Sequence, residues 1–410
     1  MKTVEAILAL VVVALSIGDP PPARTELADD LRATLESNRR VFSIENGSLA
    51  GPGGDWLLER AGNARFTLLG ETHHNVETPQ LTGALLKGLK AAGYGTYVLE
   101  SGPVTTRLVV DAVQKDGLSA ARALLTEFPF SIAFLDVPEE LRVARDALDM
   151  GYVVWGIDQE FAGAAPLLLH RLTELAKDDA SRALARSMFE RARGDTERFK
   201  IDGDDSALFM ASATADEFQR LASSFADQGG EAGDIIDQLG RSAAVYRAHY
   251  QGRSYDSNAA RADLMKRNLL DHMRRAGETV LSQRKVLFKA GGSHMARGRN
   301  SQHVHDVGNF AAELAVATGA ESFHIKVLAA GSAEDRVEPD EALPIFALPA
   351  KGIPAVFDLA PLRPLVTQHA DLPDEYEILR DLYVLRYDAL VLFPRFHDTN
   401  QIVPIPTQDP

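Results

Sequence analysis

Phe66-Thr67-Leu68-Leu69-Gly70-Glu71-Thr72-His73-His74 decides how the rest of the chain is read. Residues 66–69 form a run too short for a helix, and the chain then turns through Gly70 into one acid and two imidazoles. Such a run is a strand whose carboxyl end carries chemistry, because ligands of open parallel sheets sit beyond the carboxyl ends of their strands. Working outward, residues 97–99, 153–155, 286–288, 324–328, 355–357 and 389–393 are similar short β-branched or aromatic runs. Helical spacing fills the gaps. Thr78-Pro79 opens a helix with Leu81, Leu85 and Leu89 on one face, and residues 138–150 end before Gly151. The expected fold class is α/β, a mostly parallel sheet flanked by helices. Residues 31–163 and 277–400 supply the two parts of its core, and 401–410 form a polar tail. Between the two parts, residues 164–276 are rich in Ala, Leu, Arg, Glu and Gln, which predicts a large all-helical insertion acting as a cap.

Composition narrows the function. With 43 Lys plus Arg against 58 Asp plus Glu in 410 residues, the net charge is −15. Nucleic acids and anionic membrane surfaces are therefore poor partners, and a small-molecule substrate is expected instead. There are no cysteines, so disulfides, thiolate metal sites and thiol nucleophiles are excluded. At the N-terminus, Lys2 precedes an apolar run over residues 6–17 and the small residues Ser16 and Gly18. This run is too short to span a bilayer and fits a signal peptide over residues 1–18, followed by a linker over 19–30 that holds Pro20, Pro21 and Pro22. The alternative is a retained N-terminal anchor. The protein is expected to be exported to the periplasm or the extracellular space, with no stable membrane insertion once the signal is removed.

Four strand ends carry acids or imidazoles: Glu71, His73 and His74; Glu100 and Ser101; Asp158; and Lys289 through Ser293 and His294. Parallel strands bring these ends to one rim. A neutral imidazole there takes a proton from water while a carboxylate steadies the imidazolium. The same Glu71, His74, Glu100 and His294 also suit a divalent ion such as Zn²⁺ or Mn²⁺, and the residues alone leave both options open. His73, Asp158 and Ser293 are the expected substrate-binding neighbours.

Other signatures fail. There is no phosphate-binding Gly-rich loop and no His-Glu-x-x-His. Gly291-Gly292-Ser293-His294-Met295 approaches a nucleophile elbow, but Met295 stands where the tight turn needs a small residue. His303 and His305 form a second imidazole pair, although a polar loop before a helix at 307–317 with Asp306 as N-cap explains that segment without a ligand.

Five motifs in order carry a resemblance: Gly70-Glu71-Thr72-His73-His74, Val98-Leu99-Glu100, Trp155-Gly156-Ile157-Asp158, the run from Arg261 to Asn268, and Lys285-Val286-Leu287-Phe288 leading to His294. Together they resemble the erythromycin esterase family over residues 60–320. The first and last also resemble the wider superfamily of ChaN-like haem-binding, TraB and Tiki proteins. The resemblance implies an ester or lactone hydrolase in which His74 is the general base, Glu71 and Glu100 orient the water or the base, and His294 is the late histidine that steadies the oxyanion; with the signal-like run this predicts an exported hydrolase. It departs from the esterases at Gly291-Gly292-Ser293-His294, where they commonly show His-Asn-x-His, and in the lack of an arginine on residues 78–90. A non-catalytic relative is the other expectation, one that binds haem or a divalent metal, with His73, His74, His294, His303 and His305 as candidate ligands. A third is a degenerate hydrolase fold kept for protein–protein interaction.

Overall fold

The computed structural model describes residues 24–279, 282–329, 352–368, 372 and 374–404; the signal-like run and the prolines after it lie outside them. The strands are β1 (Arg39–Val41), β2 (Ser43–Glu45), β3 (Ser48–Ala50), β4 (Phe66–Glu71), β5 (Tyr94–Leu99), β6 (Val153–Gly156), β7 (Lys285–Gly291), β8 (Ser322–Ala329), β9 (Ala355–Asp358) and β10 (Ala389–Phe393). Eight of them build one sheet in the order β1-β9-β10-β8-β4-β7-β5-β6. Neighbours from β10 to β6 are parallel, whereas β9 and β1 pair antiparallel at one edge. All seven strands expected from the sequence form. Central strands of such a sheet are covered on both faces and so read as unbroken apolar runs, which is why β4 and β10 are buried along their whole length.

The helices are α1 (Arg24–Asn38), α2 (Gly51–Asn63), α3 (Glu77–Leu89), α4 (Pro103–Asp116), α5 (Leu118–Glu127), α6 (Pro138–Asp149), α7 (Ala165–Leu175), α8 (Asp179–Asp202), α9 (Phe209–Ser212), α10 (Ala215–Ser224), α11 (Gly230–Tyr250), α12 (Ser254–Arg275), α13 (Gly292–Met295) and α14 (Val307–Ala317). Alternation along the strands splits the core. Leu69, Tyr97, Leu99 and Leu287 pack with Leu81 and Leu85 of α3 and Leu141 of α6, while Leu68, Val98 and Phe288 pack with Met265 and Leu269 of α12 and Leu314 of α14.

Three expectations change. α1 begins at Arg24, so residues 24–30 are helix rather than linker: Leu27, Leu31 and Leu35 recur every fourth residue and bury one stripe against Phe357 and Leu359. The hairpin of β2 and β3, turned by Asn46 and Gly47 in the left-handed region, was not expected despite its Asn-Gly signal. The insertion is helical as expected, and its helices share a core that includes Leu168, Leu172, Phe209, Leu221, Ile235 and Leu239. Its last helix, α12, differs: Met265, Leu269 and Met273 join the core of the sheet, so this helix is a flank of the α/β layer rather than part of a detachable cap.

α14 packs on α13 through Gly308, where an added Cβ would lie 2.5 Å from Met295 C and 2.7 Å from the His294 carbonyl. Backbone cannot yield as a side-chain tip does, so Gly308→Ala should lower the unfolding free energy by about 1–3 kcal/mol in urea titration.

Candidate active site

The strand order places β7 between β4 and β5, so the ends carrying Glu71, Gly291 and Glu100 lie side by side. Glu100 is the centre of the cluster. Its Oε2 accepts the Gly291 N–H at 2.6 Å, and its Oε1 accepts from Arg261 Nη2 at 2.7 Å. His294 Nε2 lies 3.2 Å from the same Oε1, and His294 Nδ1 donates to Asp306 Oδ2 at 2.8 Å. Arg261 grips Asp158 with Nε at 2.9 Å and with Nη2. Asp306 caps α14 as expected, accepting the Val307 N–H at 2.7 Å, and so serves the helix and His294 together.

A second chain of charges runs beneath the first. His73 Nδ1 meets Glu71 Oε1 at 3.0 Å, while Lys289 Nζ bridges Glu71 Oε2 at 2.7 Å and Glu140 Oε1 at 2.6 Å. The Lys289 side chain is 1% exposed. Buried charges must be paired, and each of these is.

Burial acts on every group here, and the partners decide the outcome. It pulls Glu100 toward its neutral form, yet the charge and hydrogen bond of His294, with Arg261 and His73, hold this carboxyl well below the usual range. In His294 burial opposes the proton, but Glu100 and Asp306 outweigh both that and the repulsion of Arg261, raising the imidazole to about 10. His294 is therefore an imidazolium at neutral pH. Glu71 is lowered, burial being overcome by Lys289 and His73, and His73 is raised because Glu71 and Glu100 outweigh its burial. Glu140 goes the other way: burial and the Glu71 charge exceed what Lys289 returns, and its carboxyl sits at about 7.

The imidazole doublet resolves against the sequence expectation. His73, not His74, turns to the acids, because His74 adopts a left-handed backbone with φ 63° and its side chain goes to the exposed side. His73 stacks on Phe134, with ring centroids 4.5 Å apart, and is 34% exposed. Its Nε2 lies 3.9 Å from Glu100 Oε2, and Gly291 keeps this gap open: a Cβ there would sit 2.9 Å from His73 Nε2 and 3.3 Å from Glu100 Oε2.

Asp158 lies behind Arg261, and Ser293 pairs with Ser301 rather than with the cluster. His303 and His305 are exposed, the former at φ 63°. His294 uses both nitrogens on carboxylates, so it holds Glu100 rather than facing an oxyanion. Arg261, Lys289 and Glu140 were not expected as site residues. A lysine within the apolar run of β7 is the signal that could have found Lys289, and Arg261 opens one of the motifs that carry the resemblance, whereas Glu140 reads as an ordinary polar position of a helix.

A divalent ion does not fit these donors. Glu71, Glu100 and His294 spend their atoms on Lys289, His73, Arg261, the Gly291 N–H and Asp306, and among the described residues no group of three or more His, Asp and Glu is arranged to hold a metal. A cavity of about 380 Å³ lies elsewhere, along the outer edge of β6 between α4, α11 and α12, and none of the strand-end acids lines it. No described helix is long and apolar enough to cross a membrane.

No family model matches the chain, and no curated protein matches it in sequence. Solved structures do. A histidine-to-asparagine variant of the erythromycin esterase EreC in its open conformation superposes with a TM-score of 0.60 at 13% identity, over 89% of this chain and all of that one. The chain shares the fold of an erythromycin esterase. A protein from Bacillus cereus matches at TM-score 0.57 and 15% identity over 94% of this chain and all of its own, and a succinoglycan biosynthesis protein at 0.56 and 13% over 92% and 99%.

A folded pKa raised to about 10 means that His294 contributes full stabilisation below its ordinary pKa of about 6.5, which is lost as pH climbs through about 10. Imidazole NMR titration should find His294 doubly protonated at pH 8, and Asp306→Asn should lower its midpoint.

Proposed function

We propose that the protein hydrolyses an ester or lactone without a metal, with His73 as general base. The geometry of His73 carries this reading: one nitrogen is oriented by Glu71, and the other faces a gap that Gly291 leaves open beside Glu100. The likeness to an erythromycin esterase fold supports the substrate class. In this reading a water in the gap attacks the acyl carbon as its proton passes to His73 Nε2. The resulting imidazolium is steadied by Glu71, and it returns the proton to the departing alkoxide when the acyl C–O bond breaks. Lys289 keeps Glu71 ionised for that task. Of the cations, Arg261 is the least buried at 22% exposed, and in this reading it steadies the developing negative charge, whereas Lys289 and His294 are sealed in. In this reading the helical insertion reaches the cluster through Arg261 of α12. The apolar run over residues 6–17 supports export, with mature protein beginning at Asp19.

The pH sense follows from the base. His73 must be neutral to accept a proton, so turnover rises as pH increases through its titration, which lies above the ordinary imidazole value. His73→Ala should cost about 10²–10⁴-fold in kcat on a panel of aryl esters and lactones, with the fold retained by circular dichroism. His74→Ala should retain most turnover. The reverse ranking would return the role to His74.

Dialysis against a strong chelator should leave turnover unchanged. If it abolishes turnover and Zn²⁺ or Mn²⁺ restores it, the metal-free mechanism fails, and a Soret band on haem titration that disappears in His73→Ala would replace it with haem binding.

A further inference from the structure

The last described residues of the chain return across the strand ends and tie together the two loops that hold His73. The backbone of His397 takes the Val76 N–H at 2.9 Å and gives its own N–H to Glu77 Oε2 at 3.0 Å. Asp398 bridges Asn75 in antiparallel fashion, and the Thr399 N–H donates to the His74 carbonyl at 3.2 Å. A few residues on, Gln401 Nε2 donates to Asp136 Oδ2 at 3.0 Å, and the Ile402 N–H donates to the Asp136 carbonyl at 2.7 Å. The first set holds the loop that bears His73; the second holds the loop that bears Phe134, the ring on which His73 stacks at 4.5 Å and 27°.

Both loops need holding. His74 at φ 63°, Phe130 at 60° and Phe134 at 68° all occupy the left-handed region, where side-chain-bearing residues stay only when their surroundings over-determine them. The sheet does not need these contacts, since β10 ends at Phe393 and the Asn75–Asp398 bridge is isolated from its ladder.

We propose that residues 396–402 are a strap that sets His73 in its working geometry, with Thr399 and Gln401 as positioning residues that act through the two loops. The catalytic part of this inference rests on His73 being the base; the structural part does not. Asp136 is the strap's second anchor: its buried carboxyl accepts from the amide of Gln401 and its backbone carbonyl from the Ile402 N–H.

The test uses the full chain with Thr399→Pro, which deletes one N–H in an extended stretch, and Gln401→Ala, so that buried Phe396 stays in place. In hydrogen–deuterium exchange, peptides over 72–77 and 130–137 should exchange at least about tenfold faster than in the parent, with β4, β5 and β7 unchanged. Ester turnover should lose about tenfold in kcat with KM nearly constant, because misplacing a base by a fraction of an ångström spares binding. Asp136→Ala should behave like Gln401→Ala, and Asp136→Asn, which keeps an acceptor for the amide, should behave like the parent. Unchanged exchange in the loops of both folded variants overturns the strap, as does faster exchange spread through the whole sheet. Faster loop exchange with unchanged kcat overturns positioning. Should the parent turn over no ester while the loops loosen as expected, the strap stands and the esterase reading falls.

Discussion

A carboxylate buried at the centre of a parallel sheet is the constraint from which the rest of this structure follows. Glu100 cannot stay ionised there without compensation, since a lone buried charge costs several kcal/mol, on the order of what holds a whole domain together. Its compensation arrives from two stretches far from it in sequence: α12, which supplies Arg261, and the turn from β7 into α13, which supplies the Gly291 N–H and His294. The two cations, Arg261 and His294, need counterparts of their own, which is why Asp158 and Asp306 are buried as well. The line Asp306, His294, Glu100, Arg261, Asp158 alternates in charge along its length. Removing any one member leaves its neighbours buried and unpaired, and that cost exceeds the net worth of the pair itself.

This requirement settles how the helical insertion meets the sheet. Apolar packing of Met265, Leu269 and Met273 brings α12 onto the sheet, but packing alone tolerates sliding. The two bonds of Arg261 to Asp158 and its third to Glu100 set the register. Buried Asn268, seven residues further along the helix, donates to the backbone carbonyls of Ile157 and Asp158 and fixes the same contact from one side.

The two charge lines divide the labour between holding and reacting. His294 is locked as a cation and exchanges no proton near neutrality. His73 belongs to the other line, whose members are Glu71, Lys289 and Glu140, and it reaches the opening that His294 does not. Burial and the Glu71 charge raise the Glu140 carboxyl, which shares Lys289 with Glu71, so the support under Glu71 depends on a buried group. Shared fold at 13–15% identity fits this picture: the sheet and its strand ends are recoverable from many sequences, while chemistry depends on which few side chains stand at those ends.

By itself the sequence determined seven of the strands, the mostly parallel sheet and the rim at which Glu71, Glu100, Asp158 and His294 would gather. Apolar runs of strand length and terminal polar residues are local signals, and burial on both faces writes them plainly. It also marked Asp306 as a cap, since capping is decided within one turn. Which of His73 and His74 faces the acids was left to the tertiary structure, because adjacent residues differ there only through a left-handed φ at position 74, held by the chain crossing from residue 399. Glu140, and the buried pairing of Arg261, were illegible for a related reason. On an amphipathic helix a charged residue looks the same whether it faces water or a buried partner of opposite sign, and only the packing of α12 and α6 on the sheet distinguishes the two.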